Sequence, residues 1–160
     1  RDEAVDLLCR AGFLGNRFDV GHHGGCLELE APCTPGSALF RHVDAALQAL
    51  LFWAHAGELS QLSDSEAVRW VQQRAGQEDL TYGGFGSQWK AMLAVLRAKF
   101  NARTPLAAAL LSTDDAFLLQ QSDGAADGDA HSDNPYSDPL NWLGMQLMLV
   151  RDELSGDKAW

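Results

Sequence analysis

The sequence predicts a mainly α domain of the α+β kind, with about six helices and two or three short strands. Three observations carry that prediction. Apolar residues recur at helical spacing in the longer segments, turn-forming residues fall where helix caps belong, and only CLELEAP at 26–32 alternates clearly with the period of a strand. With 160 residues, 46% hydrophobic and 21% charged, the chain reads as a single domain over 1–160, long enough to bury a core without metals or disulfides.

Taken in order, EAVDLLCR at 3–10 reads as a short first helix ending at Gly12, with Val5, Leu8 and Cys9 inward. FLGNRF and the Gly-rich GHHGG at 21–25 then lead into the strand, in which Leu27 and Leu29 oppose Cys26, Glu28 and Glu30. Pro32, Pro35 and Gly36 are expected to stop that strand. His22, His23, Cys26 and Cys33 are residue types that zinc prefers, but the tight paired spacing of structural zinc sites is absent, so the group reads as a mobile loop over the strand.

The stretch Ser37 to His55, SALFRHVDAALQALLFWAH, is apolar on almost every side and reads as a buried central helix. Its polar residues Arg41, Asp44, Gln48 and His55 fall on one face at about 3.6 residues per turn. Buried polar groups are costly unless paired or hydrated, so this stripe must meet a network, a cavity or a ligand. Either Arg41 and Asp44 form an ion pair while Gln48 satisfies a loop, or Asp44 and Gln48 line a pocket.

Beyond Gly57, Ser63-Asp64-Ser65-Glu66 has the form of a capping box and opens a helix with Ala67, Val68, Val71 and Ala75 on its apolar face, ending at Gly76. QEDLTYGGFG at 77–86 is a glycine-rich loop carrying Tyr82 and Phe85. Ser87 caps an amphipathic helix with Trp89, Met92, Leu93, Leu96 and Phe100 on one face. Thr104 and Pro105 start a short helix running to about Ser112, and FLLQQ at 117–121 is too short to decide between strand and helix. An acidic, aperiodic loop at 122–137 precedes a last helix, capped by Asp138 and Pro139, in which Leu140, Leu143, Leu147, Val150 and Leu154 face the core. Gly144 costs that helix about 1 kcal/mol relative to Ala, which points to another backbone packed against it.

A net charge of -10 opposes bulk nucleic acid as a partner, and no apolar run is long and uncharged enough to span a bilayer, so no membrane partner is expected. Three cysteines at no framework spacing suit reduced thiols in the cytoplasm or an organelle matrix.

Several stretches resemble the NADAR (YbiA-like) family. They are LRAKF at 96–100 with Met92 before it, the pair Leu110 and Leu111, and the carboxy-terminal pattern Asn141, Leu143, Gly144, Leu147, Met148 and Arg151. FLGN at 13–16 is similar to the family's F-L-S-N, and DAALQALLF to its E-x-x-x-Q-A-x-K-F. The resemblance implies hydrolysis of an N-glycosidic bond to ribose, in a ribosylaminouracil phosphate of riboflavin synthesis or an ADP-ribose conjugate, with no metal or cofactor. The partner it implies is a ribose-containing small molecule or ADP-ribose conjugate. On this reading Asp44 is the central carboxylate, Asp133 assists from the acidic loop, and Asn16, Arg17, Gln48, Phe85, Tyr136 and Asn141 bind substrate.

The chain departs from the family pattern at several of these places. Asp44 stands for a Glu, Leu51 for a Lys and Gly84 for a Trp, with Phe85 and Tyr82 as the nearest aromatics. Gly15 and Arg17 alter the FLSN-like stretch, and Asp133-Asn134-Pro135-Tyr136 is the nearest form of D-x-x-W-G. The alternative implied by those losses is a catalytically inactive nucleotide-binding module or structural subunit with a protein assembly partner. Trp53, Trp70 and Trp160 would then be either interface anchors or ordinary core.

Overall fold

A computed structural model describes residues 12–23, 25–119 and 141–156; the expected helix at 3–10, the acidic loop and the Asp138-Pro139 cap lie outside the described residues. The fold is mainly helical, with six α-helices and a two-stranded antiparallel hairpin among the described residues. Strands β1 (Leu27–Ala31) and β2 (Thr34–Phe40) pair Leu27 with Phe40 and Leu29 with Ala38. The alternation read from the sequence holds in β1: Leu27, Leu29 and Ala31 are buried while Glu28 and Glu30 face outward. Glu28 Oε1 accepts from Ser37 Oγ across the pair at 2.6 Å.

The expected central helix is divided. Residues 37–40 belong to β2, with Pro35 and Gly36 inside that strand rather than stopping its partner. In a two-stranded hairpin each strand has a free edge, where the missing N–H of a proline does no harm, and Gly36 takes a φ of 115°. Helix α1 covers only Val43–Leu50, capped by His42, whose Nδ1 accepts from Ala45 N at 3.2 Å. That acceptor role leaves the proton on Nε2, which donates to Asp64 at 2.9 Å. Phe52 leaves the helical region, a 3-10 turn covers Trp53–His55, and α2 is Ala56–Leu59. Arg41 therefore precedes the helix and His55 follows it, so they share no helical face with Asp44 and Gln48. Side-chain period alone does not mark where a largely apolar run passes from strand to helix to 3-10 turn.

The Ser63–Glu66 capping box opens α3 (Asp64–Gln72), with Ala67 and Trp70 inward and Val68 exposed. Helix α4 (Gln88–Lys99), capped by Ser87, packs against α1, β1 and the last helix and buries Ala91, Leu93, Val95, Leu96 and Lys99, while Trp89 and Met92 are half-buried. Pro105 sits at the start of α5 (Pro105–Leu111), and residues 116–119 form neither strand nor helix. In α6 (Trp142–Ser155) the core face is Leu143, Leu147 and Val150, as the spacing predicts. Among the described residues no helix is long and apolar enough to cross a membrane.

The close approach expected at Gly144 is present. A β-carbon there would collide with the Leu118 carbonyl oxygen and the Asn141 side chain, whose Nδ2 donates to that same carbonyl at 2.9 Å. Helix propensity alone favours Gly144→Ala by about 1 kcal/mol. We expect the clash to prevail and the variant to lose on the order of 1–3 kcal/mol in urea denaturation. A stabilised variant would show that residues 116–119 do not pack on α6.

Candidate functional site

The segment 12–18 is folded onto α4 by apolar contact. Gly12–Leu14 form a 3-10 turn, and the Phe13 ring meets Phe100 edge-on at 6.4 Å. The turn delivers the Gly15 carbonyl to the Lys99 Nζ at 2.8 Å. Two residues on, the segment reaches α1: Asn16 O accepts from Asp44 N at 3.2 Å, and Arg17 Nε donates to Asp44 Oδ2 at 3.2 Å. Asp44 lies in the first turn of α1, where the unpaired N–H groups favour a negative charge. Its side chain is 28% exposed, so it is held from the protein side and open from the other.

Lys99 is the unusual member. It is wholly enclosed, with Nζ 5.0 Å from the Phe100 ring and 5.7 Å from the Phe18 ring. Desolvation pushes its amine down to about 7, against the opposing pull of the Asp44 charge. A shift from the ordinary lysine range to near neutrality corresponds to roughly 5 kcal/mol of disfavoured ammonium. Next in sequence to the Gly15 carbonyl, the Asn16 Oδ1 is a buried acceptor with no hydrogen-bond partner among the described residues. Asp44 and Lys99 thus form a polar centre of one carboxylate and one amine whose charged form burial disfavours.

The other expected residues divide. Gln48 is half-buried one turn beyond Asp44 on the same helix, while Arg17 is largely exposed and grips Asp44. The alternative ion pair between Arg41 and Asp44 does not form: Arg41 Nη2 reaches Asp19 Oδ2 at 2.9 Å instead, and that hydrogen bond holds the Asp19 carboxyl below its usual range. Asn141 donates to Leu118 O at the head of α6, a closing contact between segments. Asp133 and Tyr136 lie outside the described residues.

Phe85 is half-buried and packs against the core from a turn in which Tyr82, Gly83, Gly84 and Gly86 all have positive φ. The Asp79 carboxylate ties this turn by accepting from Thr81 Oγ1 at 2.6 Å, Thr81 N at 2.9 Å and Gly83 N at 3.1 Å. A β-carbon on Gly84 would come within 3.1 Å of Cys33 N at a φ of 94°, so the backbone that accepts glycine here refuses a Trp. Trp53 and Trp70 are buried, which makes them core rather than interface anchors, and Trp160 lies outside the described residues. Among the described residues no three of His, Cys, Asp and Glu converge as metal ligands.

A helical stripe traced through apolar residues alone passes over Lys99. Its spacing of seven from Met92 and three from Leu96 puts it on the same buried face, and that was the available signal. Comparison with protein-family models, with curated proteins and with solved structures found no match.

A lysine with a folded pKa of about 7 carries fewer protons than its unfolded counterpart between about pH 7 and 10.5. Its contribution to stability therefore rises with pH across that window and is lost as pH falls through 7. We expect Lys99→Met to gain stability relative to the parent at pH 6. That advantage should shrink by several kcal/mol toward pH 10, measured by urea denaturation at each pH. A pH-independent difference would show that the amine is not held against its charge.

Proposed function

We propose that the chain hydrolyses an N-glycosidic bond to ribose, with Asp44 as the central carboxylate. The observation that carries the reading is the setting of Asp44: its part-exposed carboxylate accepts from Arg17, its backbone N–H donates to the Asn16 carbonyl, and the residue lies in the field of the enclosed Lys99. As the bond from ribose to the base breaks, positive charge develops on the sugar ring. A prepositioned carboxylate stabilises that charge without reorganising and orients the attacking water. Lys99, being enclosed, acts by position and charge rather than by touching substrate; its Nζ fixes the Gly15 carbonyl and thereby the segment that grips Asp44. Gln48 lies on the same helix face as Asp44, half-buried and placed for the ribose hydroxyls. The similarity of LRAKF, FLGN and the Asn141–Arg151 pattern to the NADAR family supports the same chemistry and the same two substrate classes, a ribosylaminouracil phosphate and an ADP-ribose conjugate.

A second reading, a non-catalytic subunit, is favoured by one observation. Trp142, Met145 and Leu149 form an exposed apolar stripe on α6. A stripe of this kind suits a protein partner.

The deciding experiment incubates the protein with each substrate class and follows the released base by mass spectrometry. We expect turnover that falls on the order of a hundredfold or more in Asp44→Asn while the melting temperature is kept. Turnover unchanged in that variant would remove Asp44 from the mechanism. An absence of turnover, with no thermal stabilisation by ADP-ribose or ribose 5-phosphate, would leave the subunit reading.

A further inference from the structure

A second polar feature lies beyond the opposite end of α1 from Asp44. The turn 51–55, the hairpin turn at Cys33 and Thr34, and the segment carrying Arg74, Gln77 and Asp79 enclose a cleft of about 310 Å³. That volume is at the small end of the usual range for ligand pockets. Phe52 and Trp53, both buried, supply aromatic surface to its lining.

Arg74 is the group that gives this cleft a chemistry. Its guanidinium carbon stands 3.7 Å from the centroid of the Trp70 ring, and Nη1 donates to Trp70 O at 3.2 Å. Trp70 is itself fixed, packed edge-on against Phe52 and donating from Nε1 to Glu58 at 2.9 Å. A guanidinium carries five donors in a rigid fork, and stacking on an indole removes the entropy that a free arginine loses on binding. Among the described residues Arg74 forms no ion pair, although the chain carries a net charge of -10. The nearby acids are engaged elsewhere: Glu58 with Trp70, and Asp79 with Thr81 and Gly83. His55, whose ring meets Trp70 at 5.2 Å and whose Nδ1 lies 3.7 Å from Glu58 Oε2, and Gln77 complete the polar part of the lining.

We propose that this cleft is a binding site for a small organic oxyanion, with the Arg74 fork taking the anionic oxygens and the Phe52–Trp53 side taking the apolar body. The fork recognises a carboxylate or a phosphate by the same paired N–H geometry. The inference is independent of the role given to Asp44.

The test is a titration with benzoate and, separately, with inorganic phosphate, followed through the Trp70 indole N–H resonance in the parent, Arg74→Lys and Arg74→Gln proteins. The expected result is a saturable shift in the parent, at least tenfold weaker binding in Arg74→Gln, and an intermediate loss in Arg74→Lys, which keeps the charge but not the fork. A response to benzoate alone assigns an organic carboxylate, and an equal response to phosphate assigns the oxyanion itself as the recognised group. No saturable shift with either anion overturns the proposal, as does a variant that titrates like the parent. Should Arg74→Gln fail to fold, Arg74→Lys decides by itself, since equal affinity there removes the fork from recognition.

Discussion

Placing the Lys99 amine inside the core is the constraint on which the functional part of this fold depends. Helix α4 packs against α1, β1 and α6, and its last buried position carries a charge-bearing group where an apolar side chain would be easier to accommodate. The amine is tolerated because the Gly15 carbonyl accepts from it, two aromatic rings face it and Asp44 lies within its field. Each of those partners comes from the amino-terminal half of the chain or from the end of α4 itself. One enclosed amine thus ties segment 12–18 to the helix that bears the carboxylate.

That tie explains how a segment with little regular structure is held in place. Residues 12–18 contribute a 3-10 turn and a handful of backbone bonds, too little to fix a loop by themselves. Phe13 on Phe100 anchors one end apolarly, and Lys99 anchors the middle. Asn16 and Arg17 then reach Asp44 from a fixed base. Geometry of this kind matters for catalysis, because a misplacement of about 1 Å can cost on the order of a hundredfold in rate.

The candidate site was legible in the sequence only in part. Asp44 and Gln48 stand out because two polar residues four apart interrupt an apolar run, and that pattern survives in α1. Arg41 and His55 belong to the same pattern on paper and not in space, because the run contains a strand end, a helix and a 3-10 turn. Gly84 reads in sequence as a missing aromatic, whereas its positive φ and its approach to Cys33 make glycine the residue that the turn requires. Lys99 stands within the LRAKF stretch, but nothing local tells that its amine is enclosed, since a lysine on an apolar face is usually one whose head reaches solvent.

The sequence by itself determined the helical class, the β1 alternation, the Ser63–Glu66 capping box, the starts of α4 and α5 and the close approach at Gly144. These are local matters: side-chain period, cap chemistry and backbone freedom act over a few residues and leave a pattern there. Tertiary structure decided where the run 37–55 breaks, which base Asp44 pairs with and that Lys99 points inward. Those outcomes depend on groups distant in the chain, such as an unpaired edge of β1 seeking a partner and a Gly15 carbonyl delivered to α4. The physical reason is that desolvation and hydrogen-bond satisfaction are settled by whichever groups meet in space, and no window of neighbouring residues contains that information.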